Sequence, residues 1–208
     1  MFEHLELAAS KHPLVAEARA YARAKQESIN QVRVGSGDPY HLHTEGAANI
    51  IAALVDDPEL IAAECLHDDV EDIPDETCAI LSTKFGTRSG RLVGEVTNHF
   101  TKARYPDLLR AERKKLEVER IAGISPDGKL MKLGDICENT SQPENLPTAF
   151  SKVYMVETAQ LLAVLRVPGS ENHEILYQRA MEQVRRGQSL LRPLPHPTIP
   201  SITHGHSR

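Results

Sequence analysis

Apolar residues recur three and four positions apart along most of the chain, and the two-residue alternation of a strand is scarce. Leu14, Ala18, Tyr21, Ala22 and Lys25 follow this helical spacing and predict a first helix over residues 13–31. Gly35, Gly37 and Pro39 then break the pattern, so residues 33–40 read as a loop. An Ala/Ile-rich helix is predicted over 43–55. Asp57 reads as an N-cap with Pro58 at the first helical position, and Leu60, Ile61, Cys65 and Leu66 supply the apolar side of a helix over 58–69. Pro74 interrupts. Further helices are predicted over 75–84, 87–98, 106–121, 125–139, 147–165 and 171–191, with Phe85-Gly86 as a stop and Ser125-Pro126 as a start. Beyond Leu191 the run Arg-Pro-Leu-Pro-His-Pro-Thr-Ile-Pro favours extended or disordered chain. The expected architecture is all-α: one helical bundle at 1–192 and a flexible tail at 193–208.

Composition narrows the function classes. The 208 residues are 40% hydrophobic, enough for one substantial core, and only 4% aromatic. A formal charge of −5 argues against adhesion to nucleic acid polymers or anionic membranes, which call for a cationic surface. No apolar stretch reaches the roughly 18 to 20 residues of a membrane span. The first ten residues carry Glu3 and Glu6 where an export signal would be basic and then apolar, so a cytoplasmic protein is expected. Cys65, Cys78 and Cys137 are widely spaced and read as reduced thiols. Oligomeric state stays open, a homo-oligomer included.

The chemistry concentrates in Cys65-Leu-His-Asp-Asp-Val-Glu-Asp72. His67 and Glu71 are four apart, as are Asp68 and Asp72, so a helix continued through them gathers a histidine and several carboxylates on neighbouring faces. Such acids repel one another and the helix dipole unless a cation offsets them. Standing alone, the segment is also compatible with a solvated acidic helix end. It is joined by His43, just after the Gly/Pro loop, and by Asp135 in an otherwise apolar and basic helix. Two imidazoles and two carboxylates suit manganese, iron or another divalent ion that keeps open positions for water.

His43, the dipeptide His67-Asp68 and the later Asp135 resemble the H…HD…D signature of the HD-domain phosphohydrolases. More narrowly, Arg33…Gly37-Asp-Pro-Tyr40…His43, Leu66-His-Asp-Asp-Val-Glu-Asp72, Phe85-Gly86, Leu92-Val93…Val96-Thr97 and Lys132-Leu-Gly-Asp135…Asn139 resemble the hydrolase domain of RelA/SpoT proteins and the small alarmone hydrolases. The resemblance covers roughly residues 14–165. It implies an HD-domain bundle in which His43, His67, Asp68 and Asp135 ligate one manganese ion. It further implies that Glu71 and Asp72 position and activate the attacking water, and that Arg33, Asn139 and Tyr154 contact the nucleotide. Two departures stand out: Val34 follows Arg33 where the family often has lysine, and Thr44 follows His43 where it often has proline.

The expected function is metal-dependent removal of the 3′-pyrophosphate from a guanosine alarmone, (p)ppGpp, giving pyrophosphate and a nucleoside 5′-phosphate. Three rivals remain at this point: the same reaction on adenosine alarmones, phosphate removal from NADPH, and a non-catalytic nucleotide-sensing HD module. An intact Glu71-Asp72 pair speaks against the last, because a pure binder has no need to activate water.

Overall fold

The computed structural model describes residues 2–146 and 148–191. Their order is α1 (Glu3–Lys11), α2 (Pro13–Ser28), α3 (His41–Ala52), α4 (Pro58–Cys65), α5 (Asp69–Asp72), α6 (Cys78–Phe85), α7 (Thr87–Val96), α8 (Arg110–Ala122), α9 (Pro126–Asn139), a 3₁₀ turn (Pro143–Asn145), α10 (Thr148–Leu165) and α11 (Glu171–Leu190). The only β-type pairing among the described residues is an isolated bridge, Val32 with Pro39, across the neck of the loop between α2 and α3. The expected tail at 193–208 lies outside the described residues, as does Pro147, the first position of the expected helix over 147–165.

Local chemistry sets the helix starts. The Asp57 carboxylate accepts from the Leu60 N–H at 3.1 Å, Thr77 Oγ1 from Ile80 N–H at 3.2 Å, and Ser125 Oγ from Gly128 N–H at 3.1 Å. Each satisfies one of the amides that a helix N-terminus leaves without a partner. Gly86, at φ +94°, ends α6 and turns the chain directly into α7, a conformation that costs an L side chain dearly.

Helices α3, α4 and α9 meet at the centre, with α2, α7 and α11 packed around them. Ile51, Ile61, Leu66, Met131 and Leu133 are fully buried where they meet. A carboxylate also sits inside: Glu45 of α3 is 2% exposed and is gripped by two arginines of α2. Arg19 Nε and Arg23 Nε each donate to it at 2.9 Å, one to each oxygen. Such paired, charge-assisted bonds offset the cost of burying the acid and lock α2 to α3.

Two expectations need correction. The predicted helix over 58–69 ends at Cys65, and Leu66, His67 and Asp68 form a turn before the single turn of α5. His67 and Asp68 are therefore not on a continuous helix. Leu66 N–H bonds Ala63 rather than the carbonyl a full turn back, a tightening that diverts the chain at this point. The helix predicted from about 106 begins later, at Arg110, where Glu112 caps the Leu109 N–H at 2.7 Å. Helix α1 was not anticipated; only Leu5 and Ala8 of it are buried, too few to raise a periodic signal.

Helices α6 and α7 cross closely at Gly90. A Cβ placed there would overlap Ser82 Oγ and stand 2.7 Å from both the Cys78 carbonyl oxygen and the Ser82 nitrogen. Glycine to alanine in a helix ordinarily stabilises by about 1 kcal/mol. Here overpacking against fixed backbone costs about 1–3 kcal/mol and reverses the sign. Net of the helix gain, Gly90→Ala should lower the thermal unfolding midpoint by up to roughly 8 °C; a rise would show that the two helices do not meet so closely at this crossing.

Candidate metal centre

Four polar side chains converge where α3, the turn after α4, and α9 meet. His43 comes from α3, His67 and Asp68 from the turn, and Asp135 from α9; His43, His67 and Asp135 are all buried. One ligand atom from each of His43, His67 and Asp135 can be chosen so that all lie within 4.8 Å of one another. Asp68 Oδ2 is 3.4 Å from His43 Nε2 and 3.2 Å from His67 Nε2, and Asp135 Oδ1 is 3.4 Å and 3.8 Å from the same two nitrogens. The turn that interrupts the predicted helix is what brings His67 and Asp68 to one point.

Each imidazole is held from behind. His67 Nδ1 lies 2.8 Å from the Glu64 carbonyl oxygen, and His43 Nδ1 lies 2.5 Å from Glu138 Oε2. In the neutral ring both arrangements put the proton on Nδ1 and aim the Nε2 lone pair into the cluster, as metal-ligating histidines require. His67 Nε2 is buried without a hydrogen-bond partner. The carboxylates are braced too: Tyr40 donates to Asp68 Oδ2 at 2.8 Å, Lys132 to Asp135 Oδ2 at 2.8 Å and Asn139 to Asp135 Oδ1 at 2.5 Å.

Titration behaviour reflects this crowding. Burial works against a charged imidazole, yet the field of Asp68 pushes His67 up to about 10. His43 is likewise raised, burial being outweighed by its bonds to Asp135 and Asp68. Asp68 and Asp135 stay well below the carboxylate range despite burial, held there by His67 and Lys132 respectively. The cluster therefore traps positive charge. A divalent cation fits it, since two imidazole nitrogens and two carboxylate oxygens already point at one place and one of those nitrogens has nothing else to bind.

A cavity of about 210 Å³ opens beside the cluster, lined by Asp68, Glu71, Lys114, Lys132, Asp135, Asn139 and Tyr154. Glu71 accepts from the Asn98 N–H at 2.5 Å, and burial raises its pKa. Asp72, also raised by burial, accepts from Gln31 at 2.7 Å and does not line the cavity. Tyr154 stacks on Phe150 with ring centroids 5.4 Å apart. Asn139 also lines a smaller polar cavity of about 130 Å³, shared with Arg33, Glu138 and Gln142. Arg33 there makes a two-pronged pair with Glu138, at 2.5 and 2.9 Å. Larger grooves, near 680 and 610 Å³, lie along residues 166–174 and between α8 and α10; the second shares Lys114 with the cavity beside the cluster, and neither is lined by a candidate ligand.

All nine residues singled out in the sequence thus lie at or next to this centre. Sequence reasoning missed Tyr40, Lys132 and Glu138, which brace the candidate ligands, and Glu64, a fully buried acid with neither carboxylate oxygen bonded. Lys132 and Tyr40 sit within the quoted motifs; nothing local marks Glu138 or Glu64.

The chain matches the HD-domain family model over residues 18–122. It is 34% identical over 149 residues to the mouse protein named guanosine-3′,5′-bis(diphosphate) 3′-pyrophosphohydrolase MESH1, covering 68% of this chain and 79% of that one. The human protein of the same name is 41% identical over 101 residues, 48% of this chain and 52% of the relative, so that match spans about half the relative's length. Among solved structures, one described as a metazoan orthologue of SpoT that hydrolyses ppGpp superposes with a TM-score of 0.67 at 26% identity, covering 81% of this chain and 93% of that one. An all-helical protein with a candidate divalent-metal centre between its central helices is thereby placed. The chain belongs to the HD-domain family, and the relatives it matches include proteins named as guanosine-3′,5′-bis(diphosphate) 3′-pyrophosphohydrolases.

Burial pushes the Glu64 carboxyl up to about 8 from its ordinary 4.5. An acid whose pKa rises on folding costs stability as pH climbs, because the unfolded chain ionises first. Metal-free protein should therefore lose stability between about pH 4.5 and 8 through this group. Glu64→Gln removes that contribution, so its unfolding midpoint should gain on wild type progressively across the window. A pH-independent difference would mean that Glu64 is not held neutral by burial.

Proposed function

We propose that this protein is a metal-dependent hydrolase that removes the 3′-pyrophosphate of guanosine alarmones, (p)ppGpp, as the relatives' names describe. The observation that carries the reading is the convergence of His43 Nε2, His67 Nε2, Asp68 and Asp135 on one point beside a cavity lined by both acid and lysine. We assign these four residues to one divalent ion; the mixed nitrogen and oxygen donor set suits manganese or iron, and of these the family resemblance favours manganese. Bound there, the ion would polarise a phosphoryl oxygen and lower the pKa of a water.

The chain's own residues do the remainder. Lys132, fixed by Asp135, and Lys114, which lines the same cavity from α8, supply positive charge to the pyrophosphate. Glu71 faces the cavity with a raised pKa, suited to taking the proton as the water oxygen attacks phosphorus and the bond to the ribose 3′ oxygen breaks. Asp72, which accepts a bond from Gln31, raises the Glu71 pKa further through its charge. Asn139 lines both this cavity and the smaller one beside Arg33, which we assign to the nucleoside, and Tyr154 lines the first. Val34, at the rim of that cavity and 67% exposed, offers no cation or donor to the base, so adenosine alarmones are the second reading. The negative charge and the lack, among the described residues, of a helix able to cross a membrane accord with a cytoplasmic small-molecule enzyme.

Purified, manganese-loaded protein should release pyrophosphate from guanosine 3′,5′-bis(diphosphate); comparing it with the adenosine analogue and NADPH ranks the rival substrates. Turnover of none of them, with tight nucleotide binding, would replace the enzyme with a sensor. Asp135→Ala should lose the ion, read by elemental analysis, and lose activity with it. Glu71→Gln should keep the ion and substrate affinity while kcat falls by ~10² to 10⁴. Asp72→Asn should fall in the same direction. Wild-type rates in both variants would remove these carboxylates from the mechanism.

A further inference from the structure

The two histidines of the centre are anchored differently. His67 leans on a backbone carbonyl, whereas His43 leans on the Glu138 carboxylate, 95 residues away in sequence. Three features of the chain fit that carboxylate. Arg33 donates to both its oxygens, at 2.5 and 2.9 Å. Gly46, on α3 one turn after His43, leaves the space it occupies: a Cβ there would come within 2.9 Å of Glu138 Cγ and 3.1 Å of Oε1. Gly35, at φ +101°, lets the Arg33 loop press its backbone onto the Asn145 carbonyl, which fixes the loop beside α9. Glu138 is thus seated between α3, α9 and the loop with every side-chain oxygen engaged.

We infer that Glu138 is a positioning residue for the metal centre, holding His43 with Nε2 facing the ion, and that Arg33 acts on the ion through Glu138. A carboxylate behind an imidazole fixes its tautomer and raises its strength as a donor. Arg33 offsets the charge of Glu138 and keeps it from swinging toward the ion as a competing ligand. Its guanidinium plane also borders the smaller cavity, so occupancy of that cavity and of the metal centre are linked through one ion pair. The inference rests on the assignment of His43 to a divalent ion made above.

The test is Mn²⁺ titration of metal-free, nucleotide-free protein by calorimetry, with unfolding midpoints recorded alongside. Glu138→Ala should weaken Mn²⁺ binding by about 10- to 100-fold. Glu138→Gln, which retains an acceptor for the His43 N–H without the charge, should fall between it and wild type. Excess Mn²⁺ should recover most of kcat in both, a rescue that a general packing defect would not allow. Arg33→Ala should shift Mn²⁺ affinity several-fold when Glu138 is present and leave it unchanged in the Glu138→Ala background, since a residue acting through another loses its effect when the other is gone. Arg33 sits in a surface loop, so where Glu138→Ala folds poorly the single Arg33→Ala variant is read instead, with Glu138→Gln as the background in which its effect should shrink. Wild-type Mn²⁺ affinity in the Glu138 variants overturns the inference, and an Arg33→Ala protein altered only in nucleotide KM overturns its Arg33 part. Wild-type protein that binds Mn²⁺ and cleaves no alarmone overturns the proposed activity instead, with the titrations still deciding the role of Glu138; wild-type protein that binds no divalent ion overturns both.

Discussion

Two imidazoles and two carboxylates drawn out of water to one point would repel and desolvate one another ruinously if any stood alone. Each is tolerable only because the others are there, and because a further ring of donors and acceptors fixes all four. Tyr40 and Lys132 hold one oxygen of each acid, Asn139 holds another, and a carbonyl and a carboxylate hold the backs of the rings. The three segments that carry the cluster must therefore meet with little freedom. This mutual requirement gives a reason for the turn at Leu66–Asp68, where a longer helix would have been the cheaper local structure.

The surrounding packing serves the same end. Helix α3 carries His43, and it is clamped to α2 by Glu45 with Arg19 and Arg23. Arg88 of α7 reaches Asp57 at the start of α4 and Asp127 at the start of α9, at 2.7 and 2.9 Å, so one guanidinium ties together the N-terminal ends of both helices that lead to the centre. Negative side chains at those ends also complement the helix dipoles. Charged clamps of this kind set register more than they add stability, because burial takes back most of what the ion pair gains.

Helical periodicity was legible because most helices bury one stripe and expose the other: Ala18 and Ala22 of α2, and Leu60, Ile61, Cys65 and Leu66 in and after α4, are buried as their spacing predicts, although in α2 the buried stripe runs through Val15 rather than Leu14. The candidate ligands were legible because His43, His67-Asp68 and Asp135 together match the H…HD…D signature, whereas the acidic run at 67–72 alone also fits a solvated helix end. What stayed hidden was long-range. Glu138 has no neighbour in sequence that distinguishes it from a surface acid, and its partners Arg33 and His43 lie 105 and 95 residues away. Glu64 reads as the polar face of an amphipathic helix, yet α4 is buried on every side and Gly134 opposite supplies the room, a Cβ there standing 3.2 Å from Glu64 Oε1. Local patterns carry spacing within an element; they carry nothing about which elements will face each other.

Charge balance in the main cavity makes one further point about how such a centre selects what enters. Asp68, Glu71, Glu117 and Asp135 line it against Lys114 and Lys132, so the carboxylates of its wall outnumber the lysines. Lys132 is already committed to Asp135, and burial lowers the pKa of Lys114, weakening its hold on its proton. Two such lysines cannot by themselves hold a pyrophosphate, whose charge in a partly desolvated site is felt more strongly than in water. A divalent cation held at the cluster would add positive charge beside the phosphates of the proposed substrate. On the proposed function the ion would therefore serve substrate entry as well as chemistry, and the residues that fix its position, including those that never touch the nucleotide, would bear on binding and turnover alike.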